Sequence, residues 1–104
     1  MSDLCDKTAV ELRRLIGRKD VSPVELLDSC IARIEATDSA LNAVVTRSFD
    51  RARDEALHAE KAVLNGEELG LLHGLPVGIK DLEATDGIRT TLGSQLYSDH
   101  IPNK

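Results

Sequence analysis

A β-strand cannot stand alone, because its backbone donors and acceptors need a neighbouring strand. One segment of this sequence reads well as a strand: LPVGIK, residues 75–80. Its apolar residues do not simply alternate with polar ones, so both of its faces require cover. Only two weaker candidates could pair with it, NAVV at 42–45 and IRTTL at 88–92. The chain therefore reads as the opening layer of a larger α/β domain. The other reading is a helical module that pairs its strand with another chain.

The rest of the chain is helical in pattern. In TAVE, Thr8 is placed to cap a helix and Glu11 stands three residues on, the spacing of a capping box. Ala9, Leu12, Leu15 and Ile16 then recur at helical period, and Gly17 is placed to end the run. SPVE repeats the signal: Ser22 is the cap, Pro23 the first helical position and Glu25 the partner in the box. Val24, Leu27, Ile31 and Ile34 form an apolar stripe that runs out near Thr37 and Asp38. A third helix is expected from about Ser48, with Phe49, Ala52, Ala56, Ala59 and Val63 on a narrow face and Asn65-Gly66 as its stop. Residues 1–104 thus read as one domain portion, with helices over about 8–66 and a strand and loop region over 67–104.

Composition narrows the class. At 104 residues, 41% hydrophobic and 30% charged, the chain has the balance of a globular protein rather than a disordered one. The net charge is −5 with both signs mixed, which argues against direct nucleic-acid binding. No apolar run approaches the roughly 20 residues of a membrane helix, and the start MSDLCDKTAV is acidic and polar rather than signal-like. Cys5 and Cys30 lie far apart in sequence without a CxxC spacing, so they read as two reduced cytoplasmic thiols, with Cys30 a small core residue.

Lys80 closes the LPVGIK run and is the main candidate for chemistry. Enclosure in an apolar setting disfavours the charged form of a lysine and leaves a neutral amine, a usable base or nucleophile. Asp81, the next residue, acts in the opposite sense. The ordinary alternative is a lysine that reaches to solvent. The other candidates are weaker. His58, His73 and His100 lack any metal-ligand spacing, and Ser94 lacks the GxSxG context of a nucleophile elbow and is better placed to cap a helix from Gln95. Asp81, Glu83 and Asp86 read as a loop of mixed charge with Arg89.

The segment GLLHGLPVGIKDLEATDGIRTTLGSQLYSDHIP, residues 70–102, closely resembles the N-terminal part of amidase signature enzymes. LHGLPVGIKD, GIRTTLGS and the final HIP carry the likeness, and VSPVELLDSCIARIEATDSALNAVVT resembles the family's opening helices. The resemblance implies an N-terminal fragment of the amidase signature fold: about three helices, then one or two strands of an incomplete mixed sheet. It implies a Ser–cis-Ser–Lys mechanism for hydrolysing carboxylic amides, in which Lys80 matches the triad lysine. Asp81, Thr90 and Thr91 match positions near the site, in supporting or structural roles. The resemblance implies a small-molecule amide substrate for the intact relative, and no metal or organic cofactor.

In that family both serines lie in a Gly/Ser-rich segment well downstream of the lysine, and residues 1–104 contain no such segment. A base without nucleophile or oxyanion donors cannot run the reaction, so these residues alone are expected to be inactive. The alternative from another class is a non-catalytic interaction module. It would bind a partner or self-associate as a homo-oligomer through its unpaired strand and apolar helix faces. A lysine Schiff-base enzyme would need a closed carbonyl pocket, for which the chain looks too short.

Overall fold

A computed structural model describes residues 3–104. Its order is a 3-10 turn at Leu4–Asp6, helix α1 at Ala9–Gly17, α2 at Pro23–Leu41, α3 at Phe49–Leu64, and a second 3-10 turn at Gln95–Tyr97. Among the described residues no β-strand forms.

Both capping boxes are made. The Thr8 hydroxyl accepts the Glu11 N–H at 3.1 Å, and the Glu11 carboxylate accepts the Thr8 N–H at 3.3 Å. Ser22 and Glu25 repeat the pair at 3.0 and 3.3 Å, with Pro23 opening α2. Each box satisfies two N–H groups that a helix start would otherwise leave without partners. Helix α1 ends at Gly17, as expected, but without a left-handed glycine. The left-handed turn falls on Lys19 at φ 65°. The turn is fixed there by hydrogen bonds from the Lys19 N–H to the Ile16 carbonyl and from the Asp20 N–H to the Leu15 carbonyl.

Helix α2 runs past Asp38 to Leu41 and ends with Asn42 in the left-handed region at φ 51°. The following segment does not become a strand, and the reason is local. The Asp38 carboxylate accepts the N–H groups of Ala43 and Val44 at 2.7 and 3.1 Å and pairs with Arg47 at 3.2 Å. Those donors are therefore taken by a side chain and are lost to any ladder. The Arg47 guanidinium also lies 5.8 Å from the Phe49 ring centre, at the start of α3. Helix α3 then packs on α2, with Arg53 on its outer side bonded to Asp28 at 2.9 Å. Asn65 and Gly66 (φ 73°) end it as expected.

The core is small. Leu12 and Ile16 of α1, Val21, Leu26 of α2 and Val63 of α3 enclose one another, with Leu4, Leu15, Cys30, Leu69 and Leu75 packed around them. Leu26 and Ile16 are fully enclosed. Leu26 does not belong to the stripe that the sequence suggested. It marks a second buried face of α2, beside the one holding Leu27 and Ile31.

After α3 the chain returns across this core. Arg13 holds the Gly70 carbonyl at 3.0 Å, and the His73 Nε2 lies 2.9 Å from the Ala59 carbonyl. Gly74, at φ 81°, lies so close to the core that an added Cβ would stand 3.0 Å from Pro23 and 3.1 Å from Ile16. Only glycine fits both that conformation and that space.

Replacing Leu26 with Ala should cost about 2–5 kcal/mol of stability. Ser22→Ala should cost about 1 kcal/mol through the lost cap. Urea melts of the two variants check the order, and equal losses would mean that Leu26 is not at the centre of the core.

Candidate functional site

The segment carrying Lys80 departs from the sequence expectation. LPVGIK is not a strand, and beyond Leu75, which packs on the core, it is not buried: Val77 is 80% exposed and Ile79 54%. Leu71 and Leu72 before it and Leu82 after it are exposed as well. The physical reason is that a strand needs a partner, and neither NAVV nor IRTTL supplies one. The N–H groups of NAVV turn to Asp38, and those of IRTTL make single bonds rather than a ladder. Lys80 is itself exposed, and among the described residues no carboxylate pairs with it.

The backbone around Lys80 is nonetheless defined. The Lys80 carbonyl accepts the Glu83 N–H at 3.0 Å, which makes a tight turn directly after the lysine. Asp81, inside that turn, points across to the TT pair. Its carboxylate accepts the Thr91 N–H at 2.7 Å and also the Thr91 hydroxyl. These hydrogen bonds, the hydroxyl's first, favour the ionised form and hold the Asp81 carboxyl below the usual aspartate range, against partial burial. Asp81 is thus committed to Thr91 and makes no ion pair with Lys80.

A second lock lies beside the first. Thr90 is 2% exposed, and its hydroxyl lies 2.8 Å from that of Thr85 and 3.1 Å from the Ile88 carbonyl. The Thr90 N–H reaches the His100 carbonyl at 2.9 Å, and the Gly87 N–H reaches the Pro102 carbonyl at 2.8 Å. The HIP segment is thereby pinned along the GIRTT segment. Arg51 of α3 holds the Asp86 carbonyl at 2.7 Å and ties this loop to the helices. Ser94 caps the short turn at Gln95–Tyr97 by accepting the Leu96 N–H at 3.2 Å.

The structure therefore joins Asp81 to Thr91 in the loop after Lys80 and sets the buried Thr90 against Thr85. It leaves His58 exposed on α3, uses His73 to anchor the returning chain, and sets His100 edge-on to Tyr97 with the rings 5.7 Å apart. The supporting part of Thr85 was not foreseen. Its only sequence signal is a threonine five residues before the TT pair. Among the described residues no cluster of histidine, cysteine, aspartate and glutamate is arranged to hold a metal ion.

The sequence that folds into this threonine-locked turn behind capped helices is shared with known proteins. The family model described as Amidase matches residues 25–104. This chain belongs to the amidase family. The match begins inside α2 and takes in the whole lysine-bearing tail.

The A subunit of glutamyl-tRNA(Gln) amidotransferase from Heliobacterium modesticaldum is 37% identical over 99 residues, which covers 95% of this chain and 20% of that protein. Its counterpart from Moorella thermoacetica is 41% identical over 95 residues, covering 91% and 20%. The crystal structure of a bacterial aryl acylamidase of the amidase signature family superposes with a TM-score of 0.87 at 38% identity, over 91% of this chain and 20% of that one. The chain thus spans about a fifth of the length of the curated relatives it matches. No helix among the described residues is long and apolar enough to cross a membrane.

The Asp81 lock has a pH signature. Its folded-state pKa is depressed, so its contribution is present above the ordinary aspartate pKa of about 3.9 and is lost as pH falls through the lower folded value. The Thr91 amide resonance should therefore titrate below the ordinary aspartate range, and Asp81→Asn should remove that titration. A Thr91 amide indifferent to acid would mean that the lock does not form.

Proposed function

We propose that this chain supplies the lysine-bearing portion of an amide hydrolase, with Lys80 as the base of a Ser–cis-Ser–Lys triad. Family membership and the place of Lys80 in PVGIKD support the assignment. The observation that carries it is the fixed turn. Asp81 is held by Thr91, so the residue before it leaves a defined backbone with its amine unpaired.

As a neutral amine, Lys80 would take a proton through the bridging serine and so activate the nucleophilic serine. Both serines and the oxyanion donors would come from outside residues 1–104, which are therefore inactive alone. The substrate is a small carboxylic amide, and two free cysteines fit a reducing compartment, the cytoplasm.

The exposed Leu71, Leu72, Val77, Ile79 and Leu82 favour a second reading, a non-catalytic module that takes up a partner or a second copy along its unpaired edge.

A chimera separates the two. Residues 3–104 replace the matched stretch of the aryl acylamidase, and hydrolysis of an acylated nitroaniline is followed. The chimera should turn over, and Lys80→Ala within it should lower kcat by at least about a hundredfold with an unchanged circular dichroism spectrum. Residues 1–104 alone should show no turnover. A folded chimera that keeps its rate after Lys80→Ala would defeat the assignment. A well-behaved, cooperative oligomer of the isolated chain would favour the second reading.

A further inference from the structure

The two cysteines, 25 positions apart in sequence, meet in the fold with their sulfurs 3.9 Å apart. Neither has a part in the site around Lys80. Both thiols are free and half-buried, where the N-terminal 3-10 turn packs on α2.

What holds them together is a polar clamp. The Asp3 carboxylate caps the turn by accepting the Cys5 N–H at 2.9 Å, and the same oxygen accepts the Ser29 hydroxyl at 3.0 Å. Arg33, one helical turn on, bonds the other Asp3 oxygen and reaches Asp6 at 3.1 Å. The clamp holds the Asp3 carboxyl down at about 2, chiefly through the Cys5 N–H, with Arg33 and Ser29 adding. Cys5 is thus fixed from both sides over the α2 face that carries Ser29 and Cys30. Its sulfur also lies 3.7 Å from the Ser29 hydroxyl.

We propose that Cys5 and Cys30 form a reversible disulfide that staples the N-terminal turn to α2 when the chain meets a low-molecular-weight disulfide such as oxidised glutathione. A disulfide bond is about 2.05 Å long, so the sulfurs, 3.9 Å apart, must close by roughly 2 Å.

The exchange balances in two steps. The Cys5 sulfur, as thiolate, attacks one sulfur of glutathione disulfide, giving a Cys5–glutathione mixed disulfide and one reduced glutathione. The Cys30 thiol gives its proton to solvent, and its sulfur attacks the Cys5 sulfur and expels the second reduced glutathione. Two protein thiols are oxidised and one glutathione disulfide is reduced. Burial, with Cys5 and Asp3 adding, pushes the Cys30 thiol up to about 11. That lowers its thiolate fraction, so the second attack relies on the 3.9 Å proximity of the two sulfurs. A cytoplasmic disulfide of this kind is transient and follows the thiol poise of its surroundings.

The test equilibrates the full chain in glutathione buffers of graded ratio, native and in concentrated urea, followed by acid quench and mass analysis. The expected product is a monomer lighter by two hydrogens, with one peptide pair joining Cys5 to Cys30. Its effective glutathione equilibrium should favour closure at least about tenfold more in the native chain than in urea. Oxidation should raise Tm by on the order of 10 °C, and Cys5→Ser should lose both effects. Equal closure in native buffer and urea would overturn the proposal. So would glutathione adducts that do not resolve, or disulfide-linked dimers.

Discussion

Ile16 is fully enclosed, and what encloses it comes from stretches far apart in sequence. Its own helix supplies Leu12, α2 supplies Leu26, and the end of α3 supplies Val63. The returning tail presses Gly74 against Ile16 and Pro23 from outside. In a chain with so small a core, this junction decides where everything else lies. It joins Ile16 and Leu12 of α1 to Leu26 of α2, takes in Val63 from the end of an α3 that packs on α2, and marks the point from which the tail departs. Gly74 admits no side chain there, so this close approach of the tail to the core requires glycine at that position. Lys80 follows six residues later, on the tail that leaves the core at this contact between aliphatic side chains and one glycine.

The helical part was legible because its signals are local. A capping box is written in four consecutive residues, and both boxes formed where TAVE and SPVE placed them. The Ala-rich face of α3 and its stop at Asn65-Gly66 were equally local, as was the Ser94 cap. The errors came where a side chain competes with the backbone. Nothing in NAVV announces that Asp38, four residues before it, takes two of its N–H groups. The depth of Leu26 also escaped, because periodicity alone does not say which of two apolar faces meets the small core. The meeting of Cys5 with Cys30 needed the clamp of Asp3, Ser29 and Arg33, whose members lie up to 30 positions apart.

The LPVGIK segment was misread as a buried strand. Its apolar character does call for cover, and the exposure of Val77 and Ile79 is that demand left unmet among the described residues. Burial was inferred from composition, and burial depends on what lies opposite. After Lys80, the motif residues hydrogen-bond within the loop. Asp81 and Thr91 close one lock, and Thr90 closes another with Thr85, whose part shows only once the loop is folded.

The tail therefore separates two requirements that a lysine base must meet. The first is position, which needs a fixed backbone. Here it is satisfied by hydrogen bonds within residues 80–102, which depend on neither a sheet nor a covering surface. The second is a dry setting that disfavours the ammonium form, which the loop's own hydrogen bonds cannot create. The segment around the turn keeps Val77, Ile79 and Leu82 in solvent, and covering those apolar side chains is favourable. On the proposed reading, the cover that buries Val77, Ile79 and Leu82 is also what would hold the Lys80 amine neutral. Geometry would then be set within this chain, and the protonation state by what closes over it.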